Sequence, residues 1–209
     1  MYYIFDMDGT LIDSMPAYCG AMIRFLESNN IPYPEDIVKI ITPLGVVGAA
    51  KYFTEKMKVD IPVDKICEAV LSDMYTAYAA SIPAKDHVIP ALQKLKSEGH
   101  SLSVLTASPH MTLDPCLKRL GIFELFDFVW SCEDFGTTKS DVNIYHQAAK
   151  KLGTTAPECI FLDDNPGAVS TAKKSGMTVY GVYDASSEEY IDEMKKISDK
   201  YIYSFEELM

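Results

Sequence analysis

Short apolar runs recur along the chain at Tyr2–Phe5, Leu102–Leu105, Phe126–Trp130, Cys159–Leu162 and Val179–Tyr183, none with period-two alternation. Strands of that kind are covered on both faces, so the runs predict parallel strands inside a layered domain. Helical patterns lie between them over residues 86–98, 109–120, 141–152 and 166–175. Each stops at a glycine (Gly99, Gly121, Gly153, Gly176), the residue best suited to a left-handed C-terminal cap. Strands alternating with helices predict an α/β fold, a Rossmann-like parallel sheet flanked by helices. Tyr201-Ile202-Tyr203 predicts a last strand.

The stretch from Ser14 to Ile82 breaks the alternation. It reads as helix over Met15–Ser28, Pro34–Ile41, Val46–Met57 and Val63–Ala80, with prolines near the helix starts or between helices, where they are tolerated. Two domains are therefore expected: an α/β core of residues 1–13 and 83–209, and a small helical insertion of residues 14–82 that follows the first strand and caps the sheet.

Of the 209 residues, 48% are hydrophobic and 23% charged, which suffices for a substantial core. A net charge of −11 repels polyanions and argues against nucleic acid as a partner. A small phosphorylated ligand remains compatible with that charge, because a bound metal ion and one or two local cations can reverse the potential inside a pocket. No run approaches the roughly 20 apolar residues of a membrane span, and the N-terminus lacks the pattern of a signal peptide. The five cysteines never form a C-x-x-C pair and read as reduced thiols. A cytoplasmic protein is expected, with its oligomeric state open.

The candidate chemistry sits at strand ends. Phe5-Asp6-Met7-Asp8-Gly9-Thr10-Leu11 ends the first strand, at the sheet edge where ligands bind in open α/β folds. Asp6 and Asp8 are two residues apart, so in an extended chain both carboxylates project to one side, where they can share a metal and a substrate. Close carboxylates repel each other unless a cation or proton intervenes. Asp163-Asp164 ends the strand from Cys159 and is a second such pair.

Asp6-Met7-Asp8-Gly9-Thr10-Leu11 resembles the first motif, D-x-D-G-T-L, of the haloacid dehalogenase superfamily. Thr106, ending the strand from Leu102, matches the second motif, Lys139 before the helix from Asp141 the third, and Asp163-Asp164 the fourth. Ser140-Asp141 replaces the prolines that follow the lysine in many relatives, and Gly167-Ala168 stands where relatives often carry a further aspartate. The resemblance implies a phosphoric monoester hydrolase that acts on a small phosphorylated metabolite through an aspartyl-phosphate. Asp6 would be the nucleophile and Asp8 the general acid and base, with Mg²⁺ held by Asp6, the Asp8 carbonyl, Asp164 and Asp163. Thr106, Lys139 and the Ala107 amide would hold the phosphoryl oxygens. The acid at position 8 argues for phosphate chemistry over dehalogenation.

The helical insertion resembles the cap of the subgroup that contains phosphoglycolate phosphatase and β-phosphoglucomutase. Thr42, in the loop Thr42-Pro43-Leu44-Gly45, and Lys51 are its candidate substrate contacts, whereas Tyr18 and Met22 fit packing at least as well. The alternative activity is a sugar phosphomutase. Mutase relatives carry a histidine about a dozen residues after the nucleophile, and Tyr18 stands there in this chain.

Overall fold

The computed structural model describes residues 1–209, the side chain of Pro43 excepted. Six strands, β1 (Tyr2–Phe5), β2 (Ser101–Thr106), β3 (Phe128–Ser131), β4 (Cys159–Asp163), β5 (Thr178–Val182) and β6 (Lys200–Ile202), form one parallel sheet. Their order is β3-β2-β1-β4-β5-β6. The chain leaves β1 to one side for β2 and β3, then returns to its other side for β4, so β1 and β4 flank the point where the winding reverses. Crevices for ligands open at the carboxyl ends of strands at such a point.

Helices α1 (Met15–Ser28), α2 (Ile37–Ile41), α3 (Gly45–Glu55) and α4 (Val63–Ala80) come before α5 (Val88–Ser97), α6 (His110–Arg119), α7 (Val142–Lys151), α8 (Pro166–Lys174) and α9 (Ile191–Ile197). The chain divides into two compact units, Met1–Asp13 with Pro83–Met209, and Ser14–Ile82. In the first, Ile4, Phe161 and Val179 from the sheet are buried with Tyr145 of α7 and Val169 and Ala172 of α8. In the second, Phe25 of α1 stacks on Phe53 of α3 at 6.4 Å, and Ile66 and Val70 of α4 are buried. No helix among the described residues is long and apolar enough to cross a membrane.

The four glycines that end α5, α6, α7 and α8 all have positive φ, between 71° and 90°. Beyond shifts of one or two residues at the ends of other elements, three differences from the sequence pattern have a local cause. β3 starts at Phe128, two residues late, because the Asp127 carboxylate accepts from Ser101 Oγ, the Leu102 amide and Lys96 Nζ and so ends the loop before it. The helix expected over 34–41 contracts to α2, since residues 34–36 form a turn in which the Ile37 amide bonds the Pro34 carbonyl at 3.1 Å. Thr42–Leu44 is a turn of 3₁₀-helix joining α2 to α3, not a loop.

Candidate active site

Register places the acidic residues together. Phe5 pairs with Leu162 on β4 and with Val104 on β2, so Asp6 lies beside Asp163, and Thr106 ends the neighbouring strand. The Asp6 amide continues the ladder to the Leu162 carbonyl at 2.9 Å. The chain then turns tightly: the Leu11 and Ile12 amides both bond the Met7 carbonyl, at 2.8 and 3.0 Å, and the Gly9 amide bonds the Ile12 carbonyl. Gly9 is required twice over. Its φ is +76°, and a Cβ there would stand 2.5 Å from Asp164 Oδ2. The adjacent Thr10 is fully buried and donates its hydroxyl to Asp164 Oδ1 at 2.9 Å.

Asp6, Asp163 and Asp164 each offer an oxygen within 4.8 Å of the others. Lys139, from the loop before α7, bridges two of them, with Nζ 2.6 Å from Asp6 Oδ1 and 2.7 Å from Asp163 Oδ2. Burial by itself would lower the Lys139 pKa, yet the two carboxylates outweigh it and hold the ammonium well above its ordinary value. The Asp163 Oδ1 atom accepts from the Asn165 amide at 2.7 Å. Burial is the largest influence on Asp6 and pushes its carboxyl up to about 7, with Lys139 opposing and Asp163 and Asp8 adding to the rise. Burial and the neighbouring Asp163 and Asp6 likewise hold Asp164 well above the carboxylate range. Three carboxyl groups thus face one ammonium, and ionising all of them calls for a further cation. Its oxygen-only donors suit a hard divalent cation.

Two side chains come from the end of β2. Thr106 is 1% exposed and its Oγ1 accepts from the Ser108 amide at 3.1 Å, and Ser108 Oγ donates to Asp8 Oδ2 at 2.6 Å. The Asp8 carboxylate is therefore turned toward Ser108 and lies outside the three-aspartate group. The turn beginning at Met7 ends the extended conformation that would have aligned it with Asp6. Ala107, between Thr106 and Ser108, is exposed in the same bend. Tyr145 is fully buried and donates its hydroxyl toward the Lys139 carbonyl at 3.0 Å and the Ala168 carbonyl at 3.1 Å, tying the lysine loop to α8.

Thr42 and Lys51 belong to the helical unit. The Thr42 hydroxyl, expected on a loop, sits in the 3₁₀ turn and donates to the Val38 carbonyl at 2.6 Å, which engages its proton in the preceding helix. Lys51 is exposed on α3, and the side chain of Pro43 lies outside the described residues. Tyr18 and Met22 are buried, and the Tyr18 hydroxyl donates to the Ile41 carbonyl at 3.3 Å. Ser108, Thr10, Tyr145 and Lys85 went unassigned in the sequence. Thr10 stands within the D-x-D-G-T-L motif and Ser108 two residues after Thr106, and that proximity is the one signal the sequence offers.

This constellation belongs to a known class. The sequence profile of the haloacid dehalogenase-like hydrolases matches residues 3–182, and the chain is a member of that family. It is 26% identical over 180 residues to a phosphorylated carbohydrates phosphatase of Thermotoga maritima, covering 86% of this chain and 83% of that one. It is 27% identical over 190 residues to a phosphoglycolate phosphatase of Colwellia psychrerythraea, covering 86% and 82%. The crystal structure of a candidate β-phosphoglucomutase from Thermotoga maritima shares the fold with a TM-score of 0.83 at 24% identity, covering 99% of this chain and 95% of that one.

Proposed function

We propose that the protein is a Mg²⁺-dependent phosphatase of a small phosphorylated metabolite, working through an aspartyl-phosphate on Asp6. The observation that carries this reading is the buried contact of Lys139 with both Asp6 and Asp163 beside Asp164, at the ends of β1 and β4. Phosphoryl transfer needs an in-line nucleophile, neutralisation of the equatorial oxygens and a proton for the leaving group.

An Asp6 oxygen attacks phosphorus and the bond to the leaving oxygen breaks, giving the aspartyl-phosphate. Asp8, protonated for this step, gives its proton to the departing alkoxide. The Asp8 carboxylate then takes a proton from water, which attacks the same phosphorus and releases Asp6 and inorganic phosphate. Ser108, donating to Asp8 Oδ2, orients that carboxylate between the two steps. The hydroxyl of Thr106, its oxygen engaged by the Ser108 amide, and the Ala107 amide receive the phosphoryl oxygens. Lys139 reduces the repulsion between the anionic substrate and Asp6.

Mg²⁺ would be held by Asp6, the Asp8 carbonyl and Asp164, with Asp163 assisting, and would neutralise charge on the transferring group. The donor chemistry fits, because buried carboxylates with one ammonium among them lack a counter-charge. The helical unit is read as a cap that selects the leaving group, with Thr42 and Lys51 as its candidate contacts. The acidic overall charge leaves nucleic acid out as a substrate, and the protein acts in the cytoplasm. Hydrolysis is favoured over the mutase reaction because Tyr18, at the mutase histidine's place, has its hydroxyl on the Ile41 carbonyl.

Phosphate release from a panel of phosphorylated metabolites, with Mg²⁺ and with chelator, tests the proposal. Metal-dependent release is expected, and the best substrate identifies the leaving group. An isomerised sugar phosphate without free phosphate would replace hydrolase by mutase.

A further inference from the structure

Lys85 lies two residues beyond Pro83, where the chain re-enters the α/β unit ahead of α5. Its side chain is 18% exposed. Nζ donates to the Gly9 carbonyl at 2.6 Å, the Tyr183 carbonyl at 2.5 Å and Asp184 Oδ2 at 3.0 Å. An ammonium has three protons, so this set satisfies it completely. Two of the acceptors are main-chain carbonyls from segments far apart in sequence, which distinguishes the arrangement from a surface ion pair. The approach is itself built. The Lys85 amide bonds the Leu11 carbonyl, the Asp13 amide bonds the Pro83 carbonyl, and Ile12 pairs with Ala84, so the returning segment lies along residues 11–13.

The held peptide adjoins the acidic cluster. The Gly9 carbonyl belongs to the peptide that joins Gly9 to Thr10, and the Thr10 hydroxyl fixes Asp164. The same Gly9 leaves only the space of a hydrogen between its backbone and the Asp164 carboxylate. Asp184, held further by the Ser186 amide and hydroxyl, is a charge that the Lys85 ammonium cancels close to Asp164.

We infer that Lys85 is a positioning residue for the metal cluster, fixing the Gly9–Thr10 peptide and, through Thr10, the Asp164 carboxylate. The inference rests on the metal-dependent reading proposed above. Residues that orient metal ligands typically affect affinity by about 10- to 100-fold.

The test is calorimetric titration of Mg²⁺ into the wild-type protein and into the double variant Lys85→Met, Asp184→Asn. The double change removes both charges of the pair together, so the net charge near Asp164 is unchanged, and losing both partners is far less disruptive than losing one. The expected result is a folded variant, by circular dichroism, whose Mg²⁺ dissociation constant is raised about tenfold while the KM for the phosphorylated substrate stays within about twofold. A folded variant with wild-type Mg²⁺ affinity overturns the inference and leaves the proposed function standing. An unfolded double variant overturns it as well, by making Lys85 a residue of the fold. If the wild-type protein takes up no Mg²⁺, the metal-dependent reading fails and the inference falls with it.

Discussion

At the carboxyl edge of the sheet, charged side chains are buried in mutual contact, whereas in the helical unit they stand in solvent or bond within their own unit. Asp6, Asp163 and Lys139 are held within 2.7 Å contacts at the junction of β1 and β4. Arg24 of α1 instead pairs with Asp73 of α4, with half of its side chain exposed, and the Thr42 hydroxyl returns to its own preceding helix. Burying unlike charges in one dry site is costly, and such costs are concentrated where chemistry needs them. The contrast supports the proposed reaction at the sheet edge and the proposed selection of a leaving group by the helical unit.

The sharpest way to break that contrast is Asp6→Asn. Turnover should be abolished while the metal-free protein keeps its thermal midpoint or gains slightly, because one of several repelling carboxylates has gone. Retained turnover would remove Asp6 as nucleophile. Lys139→Ala should lower kcat/KM by about 10²- to 10³-fold, the value of one charge-assisted contact in a water-excluded site. It should also destabilise the metal-free protein by about 3 kcal/mol, since Asp6 and Asp163 would be left buried without their cation. A surface lysine would do neither.

Ser108→Ala should slow turnover by about 10-fold through loss of one hydrogen bond to a charged group, with little change in stability. For the helical unit, Thr42→Ala and Lys51→Ala should leave kcat within about twofold and act, if at all, on KM for a particular leaving group. A large fall in kcat from either would move chemistry into the helical unit. The smallest effect concerns His110, whose pKa is raised above 6.5 by hydrogen bonds to Asp114 and Asp134. A raised folded-state pKa gives stability that is complete below the unfolded value and lost as pH rises through the folded one. His110→Gln should therefore lower the thermal midpoint more at about pH 6 than at about pH 9.

The same two regions differ in how much of them could be read from sequence. Every strand of the sheet was visible, because a strand covered on both faces leaves an uninterrupted apolar run whatever its neighbours. The acidic residues were visible too, because they sit at the ends of those runs, and Lys139 because it stands just before a helical pattern. Their partners were not: Ser108 meets Asp8 across 100 residues of sequence and Lys85 meets Gly9 across 76, and no local pattern encodes such contacts. In the helical unit the apolar periodicity gave α1 and α4 with their observed limits, but a lone hydroxyl among apolar neighbours carries no sign of its acceptor. The bond of Thr42 to the Val38 carbonyl depends on the 3₁₀ turn, which the sequence reads as a loop.

Asp6 as the phosphorylated residue is tested most directly by trapping that species. The best substrate of the panel, labelled in its phosphoryl group, is mixed with protein and Mg²⁺, quenched in acid, and the protein is digested for peptide mapping, with a parallel sample reduced by borohydride. Label is expected on the peptide carrying Asp6, with homoserine at position 6 after reduction, and neither in Asp6→Asn. Turnover with label on another residue, or with no labelled peptide and undiminished activity in Asp6→Asn, would contradict it.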